Sequence, residues 1–143
     1  MMTIPLMSTL THWQAIVWVT LGQPARAIGL WTRLIDLHGP RPEWISSRAH
    51  LLAQSGQTEA AAGDYEWLCS QPEAKAADWF NRGFLLEQAS HTDAAAECFQ
   101  KAIALDAQLD RAWYGLGLCL VRQGKLDEAI DALTRNTQLQ PMS

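Results

Sequence analysis

The chain has 143 residues, 48% of them hydrophobic and 18% charged, with a formal net charge of −4. That composition suits one globular domain with a real core, and its acidic balance argues against nucleic acid or an anionic membrane surface as the main partner, because both reward clustered Lys and Arg. The opening MMTIPLMSTL lacks the basic start of a secretory signal, the apolar WQAIVWVTLG is about half the length of a membrane span, and Cys69, Cys98 and Cys119 have no disulfide spacing, so a reducing, cytoplasmic setting is expected.

The chain repeats itself every 34 residues. After an N-terminal segment, 1–7, four units are predicted at about 8–41, 42–75, 76–109 and 110–143, together forming one domain over 1–143. The first carries Ala15, Trp18, Gly22, Pro24, Ala27 and Trp31. One step on stand Ala49, Leu52, Gly56, Ala61 and Tyr65, followed by Gly83, Leu86, Ser90, Ala95 and Phe99. The last unit has Gly117, Leu120, Gly124, Ala129 and Leu133. Each unit reads as two helices divided at the Gly22, Gly56, Ser90 or Gly124 position. Glu59, Asp93, Asp127 and Glu128 fall in first turns, where the helix dipole favours negative charge, and Pro24 stands where a missing N–H costs nothing.

A glycine inside a helix costs roughly 1 kcal/mol against alanine. At Gly117 the repeat supplies the reason: two antiparallel helices approach closely only where side chains are small, as at the Gly117 and Ala129 positions, and the bulky residue at the Leu133 position fills the space beyond. Gly115 lies off this register, and the repeat gives no account of it.

These residues resemble the tetratricopeptide repeat, W-x2-L-G-x2-Y, then A-x3-F, then P. The last unit matches with Trp113, Leu116, Gly117, Leu120, Ala129, Leu133 and Pro141, and the third with Trp79, Gly83, Leu86, Ala95 and Phe99. Arg48 and Arg82 depart from it, standing where leucine is expected, as does Asn136, which replaces a small residue. The resemblance implies an all-α fold, a right-handed superhelical solenoid of antiparallel helix pairs, and a non-enzymatic protein-interaction module that binds a partner in the concave groove lined by the first helix of each repeat. Carried over by position, that groove comprises His12, Ile16 and Val19; Ser46, His50 and Ala53; Phe80, Phe84 and Glu87; and Tyr114, Leu118 and Val121. Its apolar character implies an adaptor or chaperone-like role on a peptide or helix with apolar anchors, similar to the small chaperones of type III secretion systems. The positions of the family's carboxylate clamp hold His12, Ile16, Ser47, Ala77 and Asn81, of which only Asn81 fits, leaving Arg111 and Arg122 as a pair to hold one carboxylate.

No catalytic constellation, phosphate loop or cofactor motif is evident. His12 and His50 lack a third ligand with metal spacing, so no metal is expected. Among the seven tryptophans, Trp13, Trp44 and Trp67 fall outside the repeat-core positions, which implies either a second contact surface or, for Trp13, a cap formed by MMTIPLM. Such arrays usually end in an extra covering helix, and none follows the eighth here. Two alternatives therefore stand beside groove binding: the repeat region of a larger protein, or a scaffold that self-associates through the end face of Ile130, Leu133, Thr134 and Thr137.

Overall fold

In the computed structural model, which describes residues 6–140, every element is α-helical. The helices are α1 (Leu6–Thr20), α2 (Pro24–His38), α3 (Pro42–Gln54), α4 (Thr58–Ser70), α5 (Ala76–Gln88), α6 (Thr92–Leu105), α7 (Asp110–Arg122) and α8 (Leu126–Leu139). Leu6 and Met7, assigned from the sequence to an N-terminal segment, are already helical and exposed, so they do not fold back over Trp13; the rest of that segment and Pro141 lie outside the described residues. The chain divides into two compact units, Met1–Leu68 and Cys69–Ser143.

The same turn closes each helix pair. Gly22, Gly56, Ser90 and Gly124 have φ of 70°, 77°, 64° and 75°, and the following N–H, of Gln23, Gln57, His91 and Lys125, donates to the carbonyl of Trp18, Leu52, Leu86 and Leu120 at 2.8–2.9 Å. This left-handed closure satisfies carbonyls that a helix end leaves without partners. Ser90 alone meets it with a Cβ, which disfavours the conformation by about 1–2 kcal/mol. Ser90→Gly should therefore raise stability in urea denaturation, by up to about 1 kcal/mol once the greater freedom of the unfolded glycine chain is subtracted.

In the unit Met1–Leu68, Ala15 and Ala27 are buried where α1 meets α2, and Trp31, Leu34, Trp44 and Leu51 complete the cluster. Trp44 is thus a core residue, with the Arg41 guanidinium 5.3 Å from its ring centroid, and not part of an exposed tryptophan surface. Arg48 departs from the repeat pattern for a visible reason: its Nε and Nη2 donate to both carboxylate oxygens of buried Asp64 at 2.8 and 2.6 Å, and its Nη1 to Thr32 Oγ1 at 3.2 Å.

In the unit Cys69–Ser143 the core comprises Ala95, Ala96, Phe99, Leu116, Cys119, Leu120, Ala129 and Ala132. Leu133 packs on α7 as expected: a Cβ added to Gly117 would stand 2.6 Å from Leu133 Cδ2. Asn136, buried, donates to the Asp110 carbonyl at 2.8 Å and ties α8 to the start of α7. The three cysteines are buried and unpaired with one another. Burial pushes the Cys69 thiol up to about 12 despite the nearby Arg82, and it raises Cys98 and Cys119 as well, as befits small core residues rather than nucleophiles.

Candidate functional site

Gly115, which the 34-residue register leaves without explanation, finds its partner in Phe99. A Cβ on Gly115 would lie 2.6 Å from the Phe99 Cζ, and one on Gly83 would lie 3.0 Å from Cε1. The ring of α6 is therefore clasped between two glycines, one on α5 and one on α7, and its burial holds these helices close while fixing the floor of the space they enclose.

Above that floor is a pocket of about 340 Å³ lined by Phe80, Asn81, Phe84, Glu87, Phe99, Arg111, Tyr114, Gly115 and Leu118. Phe80 and Phe84, one turn apart on α5, stack at 6.3 Å between centroids, and Phe80 also meets Phe99 at 5.8 Å. Phe84 and Tyr114 remain 46% and 51% exposed, so they form an open apolar rim rather than a closed core.

Charge frames the pocket without filling it. The Arg111 guanidinium lies 5.0 Å from the Phe80 ring centroid, a cation–π arrangement that holds the ring's position. Arg122 donates from Nη1 to Glu87 Oε1 at 2.6 Å. The expectation that Arg111 and Arg122 share one carboxylate fails on both counts: Arg122 is already paired, and eleven residues of helix separate the two by about 16 Å.

The predicted groove residues thus divide. The structure brings Phe80, Phe84, Glu87, Arg111, Tyr114 and Leu118 around one pocket. In the other unit, His12 accepts a hydrogen bond at Nδ1 from Trp31 Nε1–H at 3.0 Å, and Ile16 packs against the α1–α2 core; both serve the fold. Val19 and His50 are exposed, His50 with its Nε2 3.2 Å from the Gln54 amide nitrogen. Among the described residues, no cluster of His, Cys, Asp and Glu is suited to a metal ion, and no helix is long and apolar enough to cross a membrane.

Of the predicted end face, Ile130, Thr134 and Thr137 are exposed. Leu133 is half-buried, with its side chain against Gly117 on α7. Sequence reasoning missed Phe99 and Gly115 as pocket residues: Phe99 looked like a core position only.

A tetratricopeptide repeat family model matches residues 80–139, a span that includes the whole pocket. Among solved structures, a crystal structure of MamA superimposes with a TM-score of 0.84 at 17% identity, covering 92% of this chain and 77% of that one. MamA 41-end from Desulfovibrio magneticus RS-1 gives 0.82 at 20% identity, covering 92% and 75%. YrrB, described as a tetratricopeptide repeat protein with an unusual peptide-binding site, gives 0.82 at 18% identity, covering 92% and 68%. At these identities the likeness is one of fold. Among curated proteins nothing matches the sequence.

Proposed function

We propose that this chain, whose residues 80–139 match a tetratricopeptide repeat family model, acts as a non-enzymatic adaptor whose α5–α7 pocket receives an apolar side chain of a partner peptide or helix. The observation that carries the reading is the open aromatic rim over a fixed floor. A pocket of about 340 Å³ falls within the range of small ligand sites, and Phe84 and Tyr114 leave about half their surface to water. Burying such aromatics at the centre of an interface is worth about 2 kcal/mol or more each. The polar groups at the edge, Asn81, Glu87, Arg111 and the Tyr114 hydroxyl, would orient the partner's backbone. YrrB, whose fold is similar, is described as binding peptide, which supports the class of ligand and not its identity.

The reading is tested by affinity capture on wild type and on the Phe84→Glu, Leu118→Glu double variant, with circular dichroism confirming that the variant is folded. Phe84 is exposed and Leu118 half-buried, so two carboxylates enter the apolar space while the core cluster of the unit is left intact. A partner held by wild type and lost by the variant supports the pocket. Equal recovery by both removes it as the binding site.

A further inference from the structure

Helix α1 is apolar on the side turned away from α2, and it carries no charged residue along its length. Leu6, Leu10, Trp13, Val17 and, in the following turn, Leu21 are all exposed, Trp13 by 63%. They recur at steps of four, three, four and four, which places them in one stripe. The hydroxyls of Thr9, Thr11 and Thr20 donate to the carbonyls of Leu6, Met7 and Val17, so the helix's own backbone already engages much of its polar chemistry.

The repeat register shows what kind of surface this is. One, two and three steps on from Leu10 stand Trp44, Asp78 and Ala112, and from Val17 stand Leu51, Leu85 and Cys119, all buried. Where the cover is visible, it is the second helix of the preceding repeat: α2 contributes Trp31 and Leu34 against Trp44 and Leu51, and α6 contributes Phe99 to the cluster of Cys119. The α1 stripe is therefore a face of the kind that receives a helix, and among the described residues nothing covers it.

We propose that a second copy of the chain supplies that helix, through an antiparallel α1–α1 pairing about a two-fold axis near Trp13. Trp13 stands at the middle of the stripe, so reversing one copy sets Leu6 against Leu21, Leu10 against Val17 and Trp13 against Trp13. An isologous contact of this kind requires a self-complementary patch. An uncharged helix meets that condition in a chain of net charge −4, because like charges do not meet across the axis. The five exposed side chains of the stripe would form the apolar centre of an interface, whose standard size is about 800 Å² per partner.

End-to-end stacking on α8 fits less well. The position occupied by Ile35, Cys69 and Ile103 in the other second helices is Thr137 in α8, and the exposed Ile130 is flanked by the charged Asp127, Asp131 and Arg135.

The test is sedimentation equilibrium on the full chain, wild type against Trp13→Glu and Ile130→Asp, with helicity and thermal melting checked for each. Wild type should be a dimer at micromolar concentration. Trp13→Glu should weaken it by at least about 100-fold, since two carboxylates would face each other across the axis, and Ile130→Asp should leave it unchanged. As a check independent of that variant's folding, Trp13→Cys should form a disulfide-linked dimer under mild oxidation, the three native cysteines being buried. A monomeric wild type, or a dimer lost with Ile130→Asp and kept with Trp13→Glu, overturns the proposal.

Discussion

Replacing Arg48 with leucine, the residue the repeat pattern favours there, should destabilise the protein by about 3 kcal/mol or more. The side chains of Arg48 and Asp64 are only 17% and 9% exposed, and the substitution leaves the Asp64 carboxylate out of water without its two guanidinium hydrogen bonds. The pair's net worth is a different quantity, because desolvation of both ions offsets most of their attraction. The last repeat shows an apolar solution to the same contact: two steps on from Arg48 and Asp64 stand Leu116 and Ala132, both buried in the core. The double variant Arg48→Leu, Asp64→Ala should thus recover stability to within about 1 kcal/mol of wild type. Urea denaturation of the two single variants and the double variant closes the cycle; a single variant as stable as wild type would show that the ion pair is solvated.

Phe99→Ala should be costlier, about 3–5 kcal/mol, the range for removing a buried phenylalanine. Phe99 is 2% exposed, and its ring fills the space that Gly115 faces and, together with Cys98, the space that Gly83 faces. Its loss should also abolish partner binding at temperatures where the variant is still folded, because the pocket loses its floor. Phe84→Glu acts differently: Phe84 is 46% exposed, so the change should cost binding while leaving the urea midpoint nearly unchanged. A folded Phe99→Ala variant with full affinity would show that the pocket does not depend on that ring.

The helix pairs were legible because their contacts recur at a constant step. Ala27, Ala61, Ala95 and Ala129 are all buried, and the left-handed turn at Gly22, Gly56, Ser90 and Gly124 returns with the same hydrogen bond. Contacts between one repeat and the next left a weaker trace, since each interface is packed by its own side chains. Trp44, Asp78 and Ala112 occupy one buried position with three unlike residues, so Trp44 looked surplus to the core. Gly115 has Asn81 and Ser47 at its equivalent positions, because the demand for glycine comes from the ring of Phe99 and not from the repeat itself. The apolar rim was visible as groove-facing aromatics on α5 and α7. The commitment of His12 to Trp31 and of Arg122 to Glu87 was not, since hydrogen-bond partners on neighbouring helices have no fixed spacing in the sequence.

The measurement that bears most directly on the pocket is selection of peptides from a displayed random library on the wild-type chain, with the Phe84→Glu, Leu118→Glu variant as counter-target, followed by calorimetric titration of the selected peptides. Binding through the pocket predicts that they share an apolar anchor residue and lose at least about 30-fold in affinity on the double variant, the loss of about 2 kcal/mol expected for one hot spot. Peptides without an apolar anchor, or with equal affinity for both proteins, would contradict it.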